Sequence, residues 1–332
     1  MRQCRTAAVL ATAALTVTLA ACSGAAGRPA GDRPEPATAA SPTPVGTPPA
    51  SPADGTDGGS APEQPFAVGV RELRYNRGGE RPLPVTVWYP ASGTPGGSPK
   101  PAARVAGGRF PVVLFSHGLT GRPADYQSLL GRWSAAGFVV VAPAYPHTSR
   151  GVPSYQVLDV INQPADASFV LTRVLALDTR AGDPLRGHLA TDRLGVAGHS
   201  AGGVTTIGLF TAGRDERLDA GIVLAGTSLG VGTAFSGPAA PQLFVHGELD
   251  DVVSYRAGKA VYDQVPWPKA MLSLPDGDHG GSLLRRGDRA FAVVADTTLE
   301  FLRWTLYGDP AAKRRLPAEA ARGGLGELDN RL

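Results

Sequence analysis

Gly198-His199-Ser200-Ala201-Gly202 sets a single serine between small residues, with Leu194-Gly195-Val196-Ala197 ahead of it and Gly203 to Phe210 behind. An apolar run, a glycine-flanked serine and a helix-compatible run make the strand–turn–helix setting of a nucleophile elbow. The glycines let strand and helix approach closely, and the turn carries the hydroxyl to the positive end of a helix. A serine hydroxyl is a weak nucleophile at neutral pH, so it needs a base within reach and a carboxylate to orient that base. The chain has six histidines, one of them, His279, in the glycine-rich stretch Pro275-Asp276-Gly277-Asp278-His279-Gly280-Gly281. Carboxylates gather at Glu248, Asp250 and Asp251, just after the apolar run Gln242 to Val245. Any of these is otherwise an ordinary solvated loop residue. An oxyanion would need two backbone N–H donors. Ala201, directly after the serine, supplies one. Leu119, in Ser116-His117-Gly118-Leu119-Thr120-Gly121, is placed to supply the other, with Gly118 freeing the backbone and His117 fixing the loop.

The elements that would hold these groups can be read in order. Val68 to Leu73 and Leu83 to Tyr89 read as an antiparallel hairpin turning at Asn76-Arg77-Gly78-Gly79. A Gly/Pro-rich excursion spans Ala91 to Gly108. Apolar runs at Pro111–Phe115, Phe138–Ala142, the elbow strand, Ala220–Leu224, Gln242–Val245 and Ala270–Leu274 then alternate with helical patterns. Those patterns lie near Asp125–Ala136, Ala165–Leu177, Tyr255–Gln264 and Asp288–Leu306. Unbroken apolar strands interleaved with helices predict an α/β fold with a mostly parallel central sheet flanked by helices on both faces. Catalytic groups then belong at the carboxyl ends of the strands.

Composition bounds the rest. Arg2 and Arg5 precede an apolar stretch from Ala7 to Ala21, too short to span a bilayer comfortably, which is the form of an export signal. Its end, Leu19-Ala20-Ala21-Cys22, resembles a bacterial lipobox, which implies a lipoprotein signal peptide over residues 1–21 and acylation of Cys22. The alternative is an ordinary secretory signal that happens to contain a cysteine. Cys4 and Cys22 are the only cysteines, so no disulfide is possible within the mature chain and no thiolate metal site can form. Residues 22–65 hold ten of the thirty prolines, no aromatic residue, and Val45 as the only large aliphatic, the composition of a disordered linker. Residues 66–309 read as one catalytic domain, and 310–332, with Lys313-Arg314-Arg315, as a solvated tail. A net charge of +3 without basic–aromatic clusters argues against nucleic acid as a partner.

From about Leu83 to Leu306 the chain resembles the α/β-hydrolase superfamily. The resemblance is closest to its platelet-activating-factor acetylhydrolase-like, dienelactone-hydrolase-like and cutinase-like serine esterases. It is carried by Leu83-Pro84-Val85-Thr86-Val87-Trp88-Tyr89-Pro90, Phe115 to Leu119, Ala165-Asp166-Ala167-Ser168-Phe169-Val170-Leu171, the elbow, and the Asp250 and His279 loops. The chain departs from dienelactone hydrolases in having serine at 200 where they have cysteine. It also lacks the disulfide common in secreted polyester hydrolases. The superfamily order of serine, acid, histidine passes over His117, His147 and His188, which precede Ser200. His199 lies inside the elbow and His246 comes before every candidate acid, which leaves His279 as base. The spacing H-G-x-x-D-x-x-V implies Asp250 as the acid, with Asp251 and Glu248 as alternatives.

Only about sixteen residues separate the Leu224 and Gln242 strands, where many members insert a cap. No large cap domain is expected, so the site should be open. Leu119, Leu229, Val231, Phe235 and Val252 are candidate acyl-pocket walls or, equally, packing residues. The resulting expectation is a carboxylic ester hydrolase, monomeric, needing no metal or organic cofactor, and lipid-anchored outside the cytoplasm. Its substrate would be a small or polymeric ester. An acyltransferase on cell-envelope alcohols and a non-catalytic binding lipoprotein of the same fold are the alternatives.

Overall fold

The computed structural model describes residues 60–79 and 81–332, so the expected signal peptide, Cys22 and most of the linker lie outside the described residues. β1 (Ala67–Asn76) and β2 (Pro82–Ala91) form the expected antiparallel hairpin, with Ala67 opposite Ala91. Gly78 and Gly79 turn it, both at positive φ (94° and 52°). The excursion that follows contributes the two-residue β3 (Lys100–Pro101) on the outer side of β1. Then come β4 (Phe110–Ser116), α1 (Gln127–Ala135), β5 (Val139–Pro143), α2 (Gln163–Leu175), β6 (Leu189–His199) and α3 (Ala201–Gly208). β7 (Ala220–Leu224), β8 (Gln242–Gly247), α4 (Tyr255–Gln264) and β9 (Lys269–Leu274) continue the alternation. The chain ends with α5 (Gly281–Leu284), α6 (Phe291–Tyr307), α7 (Pro310–Ala320) and β10 (Glu327–Arg331).

These strands make one ten-stranded sheet in the order β10-β9-β8-β7-β6-β4-β5-β2-β1-β3. The stretch from β5 to β9 is parallel, and antiparallel pairs join β2 to β5 and β10 to β9. Every residue of β4, β5, β7, β8 and β9 is buried, because helices cover both faces. Side chains alternate between the covers as the pleat demands. Val113 and Phe115 pack with Trp133 of α1 and Phe301 of α6, whereas Val112 and Leu114 pack with Val170 and Leu171 of α2. Phe244 and Val223 meet Val204 of α3 and Val261 of α4 on that second side. This is the α/β-hydrolase architecture that the resemblance implies. Residues 225–241, between β7 and β8, contain no helix or strand, so no cap is inserted there.

Both expected domain edges shift outward. Ala61 packs on the core, and the Pro62 carbonyl accepts a bond from Arg303 at 3.3 Å, so the globular part begins before Phe66. Residues 310–332 are no tail. α7 buries Ala312, Leu316 and Ala320 against α6, and β10 pairs antiparallel with β9 from Lys269 to Ser273, Glu327 opposite Ser273 and Arg331 opposite Lys269. The charges of Lys313, Arg314 and Arg315 mask this in the sequence, because the apolar positions of α7 are few and mostly alanine. The C-terminal strand covers what would otherwise be an open β9 edge.

Arg81 joins two parts of the fold. Its guanidinium meets Asp159 at 2.8 and 2.9 Å and also pairs with Asp166 of α2, whose Oδ1 additionally accepts from Arg77 at 2.6 Å. The hairpin end is thereby clamped to α2 and to the 3-10 turn at residues 157–162 that leads into it.

Leu316→Ala tests the C-terminal correction. It should destabilise the protein by about 2–5 kcal/mol, the usual cost of truncating a buried leucine, seen as a lower chemical-denaturation midpoint. A solvated tail would leave that midpoint unchanged.

Candidate active site

The elbow forms because three backbones are allowed to crowd. A Cβ on Gly198 would lie 2.0 Å from the Gly202 carbonyl oxygen, and one on Gly202 would lie 1.9 Å from that of Ser116. No larger residue fits either position without separating β6, α3 and β4. Between them Ser200 adopts φ 56°, ψ −117°, a conformation that costs an L-residue about 1–3 kcal/mol and persists only where its surroundings impose it. Its N–H donates to the Leu224 carbonyl of β7 at 2.9 Å, which pins the turn to the sheet.

Three residues named from the sequence meet in space. His279 Nε2 lies 2.9 Å from Ser200 Oγ, and His279 Nδ1 lies 2.8 Å from Asp250 Oδ2. The carboxylate accepts at Nδ1, so Nδ1 carries the proton and Nε2 is free to accept the serine hydroxyl. Asp250 is buried, with its side chain wholly removed from solvent. Its Oδ1 accepts the N–H groups of Val252 (2.9 Å) and Val253 (2.8 Å), and His246 Nε2 lies 3.3 Å from Oδ2. The carboxylate is therefore oriented by its own loop before His279 meets it. Glu248 and Asp251, the alternatives, are exposed and take no part.

Both expected oxyanion donors border this chain. Ala201 opens α3, so its N–H has no partner within the helix. The Leu119 loop presses on the serine, for a Cβ on Gly118 would lie 3.2 Å from the Cβ of Ser200. Thr120 next to it has φ 56°. Among the described residues neither the Leu119 nor the Ala201 N–H meets an acceptor. His117 fixes the loop as expected: Nδ1–H donates to the Gly118 carbonyl at 2.8 Å, and Nε2 accepts the Tyr145 N–H at 3.2 Å. Of the candidate pocket walls, Leu229 and Val252 are exposed and Leu119 is partly covered. Val231 is a core residue beneath Ala201 and Val204, and Phe235 packs edge-on against Trp267; both are structural.

Sequence reasoning passed over Tyr126 and gave His199 no part. Tyr126 Oη stands 2.8 Å from His199 Nδ1, and His199 Nε2 donates to the His279 carbonyl at 2.7 Å. Nothing in the spacing of the chain joins residues 126, 199 and 279. The sequence gives no role to Asp278, next to His279 in the glycine-rich stretch. Its carboxylate accepts the N–H of Gly280 at 3.0 Å and that of Gly281, shaping the turn that presents His279, and these backbone donors hold its pKa below the usual carboxylate range.

Residues 94–225 match the family model of chlorophyllase. The matched span takes in β4, the Gly118-Leu119 loop and the elbow, and it stops before the loops that bear Asp250 and His279. No curated protein matches the chain. The match is to an α/β-hydrolase-type family, in agreement with the sheet.

Burial lowers the pKa of both His117 and His199 from 6.5 to about 4. In the unfolded chain each binds a proton near 6.5, whereas the folded protein keeps each neutral down to about 4. Between those values the unfolded state binds more protons. Stability therefore falls as pH drops, with a slope approaching about 1.4 kcal/mol per pH unit for each histidine. Urea denaturation at a series of pH values should show this slope, and His117→Gln should make it shallower.

Proposed function

We propose that this chain is a serine esterase that cleaves carboxylic esters through an acyl-enzyme. The observation that carries the reading is the unbroken hydrogen-bonded series Ser200–His279–Asp250 at 2.9 and 2.8 Å, on an elbow whose serine is held at positive φ. The match to chlorophyllase, a name for an ester-cleaving hydrolase, supports the same chemistry.

Ser200 Oγ attacks the ester carbonyl carbon as its proton passes to His279 Nε2. Asp250 stabilises the imidazolium, and the N–H groups of Leu119 and Ala201 receive the oxyanion. Collapse of the tetrahedral intermediate breaks the carbon–oxygen bond, and His279 returns the proton to the leaving alcohol. Water, deprotonated by His279, then attacks the acyl carbonyl, and the acid departs with Ser200 restored.

An apolar ester suits the surroundings. Among the described residues the most exposed large apolar side chains are Leu158 (68%), Val252 (67%), Leu249 (64%), Leu229 (51%) and Ile161 (49%). They lie in loops after β5, β7 and β8, at the same strand ends from which Ser200, Asp250 and His279 emerge. Ile161 lies against the loop that bears Leu229, since a Cβ on the adjoining Gly230 would sit 2.7 Å from Cγ2 of Ile161. An open mouth rimmed by such residues favours substrates that bring apolar surface of their own. The lipobox-like Leu19-Ala20-Ala21-Cys22 adds a location: acylation at Cys22 would hold the enzyme on the outer face of a membrane at the end of its Pro-rich linker. No helix among the described residues is long and apolar enough to cross a membrane.

Ser200→Ala should lower p-nitrophenyl acetate hydrolysis by at least about 10⁴-fold while leaving the fold intact, and Asp250→Asn should cost about 10⁴-fold in kcat. A fluorophosphonate probe should label the native protein and spare Ser200→Ala; a native protein that resists labelling would be a scaffold and not an enzyme. Separately, Cys22→Ser should abolish incorporation of labelled palmitate in the producing bacterium and release the protein from the membrane fraction. Retention of the label would place the lipid elsewhere.

A further inference from the structure

Two loops must be held at once for the proposed chemistry: the one that brings Leu119 N–H to the oxyanion and the one that brings His279 to the serine. They come from opposite ends of the chain, after β4 and after β9, and they flank the elbow. A hydrogen-bonded path runs between them through the buried interior. The Gly118 N–H donates to Tyr126 Oη at 3.0 Å, Tyr126 Oη stands 2.8 Å from His199 Nδ1, and His199 Nε2 stands 2.7 Å from the His279 carbonyl.

Each proton on this path has one place. A carbonyl oxygen only accepts, so His199 must carry its proton on Nε2. His199 stays neutral, and its Nδ1 therefore accepts a hydrogen bond donated by the Tyr126 hydroxyl. Tyr126 Oη, donating its own hydrogen to His199, accepts from the Gly118 N–H. Every bond thus points the same way, from the Leu119 loop to the His279 loop. Both side chains are buried, His199 at 5% and Tyr126 at 3% exposure. Water cannot readily stand in for a lost partner there, and buried bonds linked in series reinforce one another. The imidazole also lies against His279, their ring centres 4.9 Å apart, so that His199 touches both the ring and the backbone of the base.

From this path we infer that His199 and Tyr126 are positioning residues that couple the oxyanion loop to the general-base loop, so that loosening either loop disorders the other. The inference rests on the esterase reading for its effect on rate, though not for the coupling itself. Neither residue touches the reacting atoms. Tyr126 enters the path from the first turn after the Leu119 loop, where Phe115 packs on its ring at 4.6 Å and keeps the hydroxyl aimed inward.

Three variants separate the links. Tyr126→Phe removes the hydroxyl and keeps the ring. His199→Gln offers an amide N–H to the His279 carbonyl in place of Nε2–H and loses the acceptor for Tyr126. His199→Asn offers an acceptor to Tyr126 and loses the donor to His279. Each should lower kcat for p-nitrophenyl acetate by about 10-fold or more with KM changed less than about two-fold, since only the placement of transition-state groups is altered. Combining Tyr126→Phe with His199→Gln should cost little more than the worse of the two, because both break the same link. Losses that multiply, or fall on KM, would overturn the inference. So would native rates in Tyr126→Phe, which changes only one oxygen.

A second measurement does not depend on activity. Hydrogen exchange at the Gly118 amide should speed up at least 10-fold in His199→Gln, two links away, and the amides of residues 277–281 should lose protection in Tyr126→Phe. Unchanged exchange at both places refutes the coupling. If the native protein proves inert toward esters and fluorophosphonates, the esterase reading fails, while the exchange data still decide whether the loops are coupled.

Discussion

The close meeting of β4, β6 and α3 at Gly198 and Gly202 is the constraint on which the rest of this structure depends. With hydrogen as the side chain at both positions, the Gly202 and Ser116 carbonyls come within about 2 Å of where a Cβ would stand. That approach forces the chain to reverse within one residue, and Ser200 takes up the strain at φ 56°. It also fixes the distance between the serine and the Leu119 loop, because β4 ends at Ser116 against the same turn. The Ser200 turn and the Leu119 loop are thus set by backbone packing, which is stiffer than any side-chain arrangement.

Around that point the site is built mainly from buried neutral imidazoles and one buried carboxylate. Burial keeps His117 and His199 uncharged, and each is then able to donate from one nitrogen and accept at the other. Such a residue can sit in the middle of a directed hydrogen-bond path, which a lysine or an arginine could not do. Asp250 is the opposite case: its charge is tolerated in the interior because two backbone N–H groups and His279 satisfy it. His279 alone among these groups is part exposed, with 19% of its side chain open to solvent, as the proposed proton exchange with substrate and water requires.

The exposed apolar side chains of residues 157–162 and the electrostatic clamp behind them belong together. The 3-10 turn at residues 157–162 carries Leu158 and Ile161 outward while Val160 packs beneath Ala201 and Val231. Exposed apolar residues on a short turn would be free to collapse inward or peel away. Arg81, paired to Asp159 on the turn and Asp166 at the start of α2, holds the turn from behind. Because Asp166 is wholly buried, losing Arg81 would leave its charge with Arg77 as the one remaining guanidinium partner, so the clamp is costly to open.

Much was legible from sequence because the signals are local. Apolar runs of strand length and helical periodicity between them sufficed for the hairpin, the parallel strands and the uncapped sheet. The elbow announces itself in five residues, and chain order within the resembling superfamily singled out His279 and favoured Asp250 over Glu248 and Asp251. What tertiary structure alone decided depends on groups distant in the chain. β10 closes the sheet although residues 310–332 look like a charged tail, since the edge it covers belongs to β9. Val231 and Phe235 turned out to be packing residues because burial is set by what folds over them. The contacts of Tyr126 and His199 exist only once β4, β6 and β9 are assembled in one sheet, bringing Gly118 and His279 within two side chains of each other. Local pattern carries the order and type of the elements; hydrogen-bond partners are settled by the packing of the whole sheet.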